Sequence, residues 1–337
     1  MSPAQFLDAL ADCLDAGSGL EQAIDRLLSV GGTTGLWAQR LRRASQGGVP
    51  VAGALRAAGL VDEEEQGLLS SEGADARIPG LLRALAVRRR RLHVRSASVA
   101  RGLVGPLVVG LVTLLLDPVS SLVVGGSFFG PLLRDLCLLG IPALAVLVGL
   151  PALASSVAAR RRALTLCVRV PGARGLARMH AEEELLTVLG PFVDGGEVSP
   201  GGLGAAASVL SWSPIAGALR AARISPRPPA SPLAMGGLEQ VAGHLTEATR
   251  LTLVGGAASR RLAERITAHA EATAVTLTGR LRLLLRVGAY ALIVLVSLAS
   301  LGGLMARGVP GLSTIPGGST SEESRELEEL MKQMGQP

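Results

Sequence analysis

Three observations predict an all-α membrane protein with three membrane-crossing helices and two homologous helical bundles of about six helices each. The first is an apolar block over residues 102–158, in which only Asp117, Arg134 and Asp135 are charged. It opens after Arg88, Arg89, Arg90, Arg91, Arg95 and Arg101 and closes on Arg160, Arg161 and Arg162. The second is a further apolar block over 287–306, preceded by Arg280, Arg282 and Arg286. The third is that the polar segments 1–95 and 160–282 both carry helical periodicity and repeat one another. At about 1.5 Å per residue, 102–124, 136–158 and 287–306 are each long enough to cross most or all of a hydrocarbon core of about 30 Å. Residues 125–135 form the short outer loop. Asp117-Pro118 predicts that the first span kinks or ends there, with the chain re-entering the membrane or lying in the headgroup region beyond.

Composition narrows the class. A chain of 337 residues holds two soluble domains, or two smaller ones around spans, and a mean hydropathy of +0.43 favours the second. Aromatics are 2% of residues, too few for an interfacial belt, so arginine supplies the anchoring by snorkelling. The net charge of +6 does not indicate nucleic acid, because the arginines flank apolar blocks and almost no aromatic is available to stack on bases. Cys13, Cys137 and Cys167 show neither metal-ligand spacing nor a pairing pattern, as expected of polar domains in a reducing compartment. The N-terminus does not pattern as a signal peptide: Phe6, Leu7, Leu10 and Leu14 share one helical face, with Asp8, Asp12 and Asp15 between them.

In the first segment, a helix over 3–16 is expected to stop at Gly17, where a left-handed C-cap belongs. Ser18 is the candidate N-cap of a second helix, 19–28, with Glu21 three residues on. A third pattern, 36–44, ends near Gly48, and a fourth occupies 51–58. A fifth starts near Asp62 with glutamates in its first turn, where negative charge suits the helix dipole. The pattern breaks around Glu72-Gly73, and a sixth helix from Ile78 carries the arginine run toward the first span.

The second segment follows the same scheme. An offset of 179 sets Phe6, Leu7, Leu10, Leu14, Asp15 and Gly17 on Leu185, Leu186, Leu189, Val193, Asp194 and Gly196. The break at Ser71–Ile78 faces 255–262, and in both halves a long arginine-bearing helix follows. The heptapeptide at 52–58 recurs at 216–222, but at an offset of 164, and reads as local composition. A proline-rich insertion at 225–229 is a loop. Positive residues flank the near side of all three spans, so both bundles are expected to be cytoplasmic and the C-terminus outside. The tail, 307–337, reads as a flexible linker with a short marginal helix.

Catalytic alternatives find little support. A phosphate-binding loop needs a lysine, and the only one is Lys332, in the tail. His93, His180, His244 and His269 lie singly on helical patterns, reading as helix-surface histidines without metal spacing. Asp117 and Thr113 are the sole polar candidates for intramembrane chemistry. No cofactor is implied. Glu72 either binds a basic surface, of a partner or of this chain, or caps the helix after the break. Arg88, Arg89, Arg90 and Arg91 either anchor to anionic lipid, at about 1 kcal/mol each, or meet a partner's acidic surface. Gly17, Gly48 and Gly196 read as turns.

The order of helical domain, two spans, second copy and one span resembles the type II secretion system F family of bacterial inner-membrane platform proteins, which also serve type IV pilus machines. The likeness covers roughly residues 4–310. Its motifs are Leu14-Asp15-Ala16-Gly17 and Val193-Asp194-Gly195-Gly196 for the family's Leu-x-x-Gly turn, and Gly48 to Leu55 for Gly-x-x-Leu-x-x-Ala-Leu with Val51 for leucine. Glu72 retains part of Gly-Glu-x-x-Gly-x-Leu, with Gly256 in its place in the second copy, and Gly105-Pro106 resembles the Tyr-Pro that opens the first span. The resemblance implies a non-enzymatic assembly platform for protein secretion. Its partners would be a cytoplasmic hexameric secretion ATPase, pilin or pseudopilin transmembrane helices, other inner-membrane secretion components, membrane lipid and further copies of itself. A small transporter or channel subunit and a membrane-anchored scaffold or sensor are the alternatives.

Overall fold

The computed structural model describes residues 2–46, 48–123, 129–141, 157–194, 196–224, 235 and 237–306, and they are mostly helical. Two helices are long and apolar enough to cross a membrane, within 75–116 and 262–298. Most of the expected second span, the proline-rich insertion and the tail lie outside the described residues.

The first segment folds as α1 (Pro3–Asp15), α2 (Leu20–Val30), α3 (Gly32–Ser45), α4 (Val51–Ala57) and α5 (Glu63–Leu69), then a 3-10 turn and α6 (Ile78–Val123). Gly17 follows α1 at φ +79°, a conformation a Cβ would strain. Gly19, not Ser18, is the N-cap of α2; Ser18 is buried instead, and its hydroxyl has no hydrogen-bond partner among the described residues. Asp62 caps α5 in a capping box with Glu65. The helix α6 passes through Pro106 and Pro118 to Val123, next to the expected limit of the first span at 124, so of the kink or end expected at Asp117-Pro118 the end does not occur.

After α7 (Phe129–Asp135) and a π-helical turn, the second segment comprises α8 (Val157–Arg169) and α9 (Pro171–Leu189). An antiparallel hairpin of β1 (Val193–Asp194) and β2 (Glu197–Val198) follows, with Gly196 in its turn at φ +103°. It is a small departure from the all-helical expectation. Then come α10 (Pro200–Val209), α11 (Ile215–Ile224), a 3-10 turn (Glu239–His244), α12 (Glu247–Ala258) and α13 (Leu262–Ala306). The long helices α6 and α13 start at Ile78 and Leu262, the residues the repeat sets opposite each other. The repeated heptapeptide falls at α4 in one half and in α11 in the other.

The chain divides into one compact unit of residues 1–99 and 150–282 and another of 100–149 and 283–337. The sequence distributes the polar segments between two bundles; in the first unit their buried side chains form one cluster, from Phe6, Leu7, Leu10 and Leu55 to Leu185, Leu189, Phe192, Leu219 and Leu253. Helix α10 packs on α5 across this core. A Cβ on Gly201 would lie 2.0 Å from the Glu72 carbonyl oxygen, so only glycine permits that approach. Within this unit α6 and α9 run antiparallel, with Gly80 beside Pro191, Arg88 beside Glu184 and Arg95 beside His180. Helix α13 runs parallel to α6: Arg280 reaches Met179 and Arg282 donates to Ser98.

In the second unit, Gly105 and Gly110 of α6 lie against Tyr290 and Ile293 of α13, and Ile293 and Val296 are buried. Small residues allow such close helix approach. Leu107, Val108, Leu111, Leu115, Val287, Leu295 and Leu298 are exposed.

Candidate functional site

The arginine run does not face outward as a whole. Arg88, Arg91 and Arg95 recur at i, i+3 and i+7 and share one face of α6, and His180, Glu183, Glu184 and Thr187 share the facing stripe of α9. Arg88, 7% exposed, donates to Glu184 Oε1 from Nε at 3.1 Å and Nη2 at 2.9 Å. It also lies 3.7 Å from Glu64 and 3.8 Å from Glu65, both in the first turn of α5. Arg89 pairs with Glu65 and Arg95 with Glu183. Arg91 donates to Thr187 Oγ1 at 2.9 Å, and Arg161 of α8 meets Glu64.

Burial alone would raise the Glu184 carboxyl and lower the Arg88 guanidinium. Their mutual attraction outweighs it, holding Glu184 down at about 2 and moving Arg88 upward. Burial likewise works against Glu183, but His180 and Arg95 pull it below the ordinary carboxylate range. Glu64 goes the other way: desolvation prevails over Arg88 and Arg161 and pushes it up. Arg160 is lowered by burial and by Arg88. Most of these groups are held charged against an opposite partner, an arrangement suited to clamping helices together rather than to moving protons.

Glu182 extends the network. Its carboxylate accepts from Thr246 N at 2.6 Å, Thr246 Oγ1 at 2.8 Å and Thr249 Oγ1 at 2.9 Å, capping the N-terminus of α12 with a buried charge. His269 Nε2 is 3.1 Å from Thr249 Oγ1. His180 is not the helix-surface histidine the sequence predicts: it is 8% exposed and stacks on Trp212 with ring centroids 5.8 Å apart. A cavity of about 10 Å³, room for about one water, is lined by Arg88, Arg91, Arg95, His180 and Glu183. Among the described residues no group of His, Cys, Asp and Glu is arranged to hold a metal ion.

The other expected residues fall as follows. Arg90 is exposed and pairs with Asp8 at 2.9 Å, so each arginine of 88–91 has a partner within the chain. The Glu72 side chain is 74% exposed and lies 3.5 Å from Arg223 of α11. Gly48 has φ +65°, and Gly105 and the buried Pro106 sit inside α6. Sequence reasoning missed Glu182, Glu183 and Glu184. The available signal was their position beside Leu185, Leu186 and Leu189: three consecutive helical residues sweep about 200°, so a run adjoining the buried face cannot all point to solvent.

No family model matches this sequence, and no curated protein matches it.

Proposed function

We propose that the chain is a non-enzymatic assembly platform of a bacterial inner membrane, of the type II secretion or type IV pilus kind. Three spans would anchor it, with the polar helical unit and the N-terminus in the cytoplasm and the C-terminus outside. The observation that carries the membrane part is the uncovered apolar surface of α6 and α13, where Val108, Leu111, Leu115, Val287 and Leu295 are 56–65% exposed on helices long enough to span. The platform part is supported by the repeated module and by the resemblance in domain order. On this reading the polar unit docks a hexameric secretion ATPase, the spans receive pilin or pseudopilin helices, and copies of the chain associate with one another and with other inner-membrane components. The test uses the full chain. Membranes washed with alkaline carbonate should retain it, and cross-linking in its host should join it to the ATPase and to a pilin-like subunit. Release by carbonate refutes the membrane reading; retention without either cross-link refutes the platform reading.

A further inference from the structure

The turn between α8 and α9 is a part-apolar surface of the polar unit that its own packing leaves exposed. Arg169, Val170, Pro171, Gly172 and Arg174 are all exposed there, Val170 at 53%, and Leu166 one turn earlier is 62% exposed. Because α9 runs antiparallel to α6 and α13, its N-terminal end lies at the end of the unit where those two helices leave it, at residues 99 and 282. Val170 is nine residues, about 13 Å of helix, beyond Met179, which Arg280 contacts. Among the described residues no carboxylate pairs with Arg169, Arg174, Arg280 or Arg282, whereas Arg88, Arg89, Arg90, Arg91 and Arg95 all have internal carboxylate or hydroxyl partners.

We propose that this turn is a lipid-docking surface, seating Leu166 and Val170 in the headgroup layer of an anionic bilayer while Arg169 and Arg174 engage lipid phosphates. The inference rests on the membrane reading and adds a second, non-spanning contact to it. Two aliphatic side chains enter the interface while the guanidinium heads stay in water and bind phosphate, as snorkelling requires. The anionic leaflet supplies the charge that these arginines lack within the chain, at about five-fold in occupancy per arginine near the surface. Arg280 and Arg282 flank the same end, so the turn approaches a surface already attractive to anions.

The test is amide hydrogen exchange over 165–176 in the full chain, reconstituted in nanodiscs of phosphatidylcholine with and without phosphatidylglycerol. Co-elution with the discs is read first. Exchange should slow in the anionic discs by about 25-fold for the two arginines together. High salt should reverse the slowing, because screening shortens the reach of surface charge. Arg169→Gln/Arg174→Gln should exchange at the phosphatidylcholine rate in both discs while still co-eluting. Equal exchange in both discs, with the chain incorporated, overturns this inference and leaves the spans standing. Failure to incorporate overturns both. Protection already complete in detergent means that another part of the protein covers the turn, which also overturns it.

Discussion

Replacing Arg88 by methionine tests whether the buried ion network holds the polar unit together. The side chain is almost wholly buried, and its loss leaves Glu184 without the cation it bonds at 2.9 and 3.1 Å. Glu184 is held at about 2 against an ordinary 4.5, a difference that converts to about 3 kcal/mol. That agrees with the roughly 3–5 kcal/mol lost when one partner of a buried pair is removed. Arg160, which Arg88 itself disfavours, remains near Glu184 and keeps the loss at the lower figure. The expected result is therefore a destabilisation of about 3 kcal/mol at neutral pH, read as urea unfolding of the detergent-solubilised full chain by the fluorescence of Trp212, which stacks on His180 beside the network. Arg88→Met/Glu184→Leu should recover more than half of it, because it also removes the buried carboxylate that Arg88→Met leaves without its cation. The pH dependence has a definite sign. A depressed carboxyl contributes stability above about 4.5 that drains away as pH falls toward 2, so the gap between wild type and Arg88→Met should close over that window. A loss below 1 kcal/mol, or a double variant no more stable than the single, would refute the argument.

Smaller perturbations test the surroundings. Gly201→Ala drives a methyl into the Glu72 carbonyl and should destabilise by about 1–3 kcal/mol or more in the same unfolding assay, whereas Gly172→Ala, with nothing within 4 Å, should be neutral or slightly stabilising. Asp62→Ala removes the capping box of α5 and should lose about 1 kcal/mol. Glu182→Gln keeps the shape but not the charge that caps α12, and amide exchange at residues 246–249 should speed up while the rest of the unit is unchanged.

What the sequence conveyed depended on the range of the interaction that decided it. Local signals read well: Gly17 follows a leucine-rich helix and Gly196 turns the hairpin, both at a positive φ that only an achiral residue takes cheaply, and the glutamates after Asp62 announced α5. The proline at 118 signals a kink or an end, since it removes one amide donor, and α6 continues past it to Val123, close to the expected limit of the span. On the membrane reading, neighbouring packing and local adjustments make such a proline tolerable. The ion network was invisible for a different reason. Arg88 and Glu184 are 96 residues apart, and a run of arginines beside an apolar block has an adequate local explanation in lipid. Only the packing of one segment on the other converts that exposed charge into a buried one.

That packing also sets Glu72 and Gly256, which the sequence reading places opposite each other, in different surroundings. If each copy were a separate bundle, Glu72 and the Gly256 opposite it would face similar surroundings and be held to similar side chains. They do not. The backbone of Glu72 lies against Gly201 of the other copy and its carboxylate near Arg223, whereas a Cβ on Gly256 would meet Leu262 and Arg265 of its own copy. The same asymmetry appears at the turns, where a Cβ on Gly17 would meet open space while one on Gly196 would lie 3.3 Å from the Ala257 carbonyl oxygen, and nearby Asp194 pairs with Arg77. On the repeat reading, the halves share one core through unequal contacts at these positions, which is a physical reason for the two segments to differ there. It also means that removing residues 1–95 would strip Phe6, Leu10, Leu55 and Leu85 from the core that Leu185 and Phe192 share, so a partner's footprint on this protein is to be mapped by surface substitutions in the intact chain.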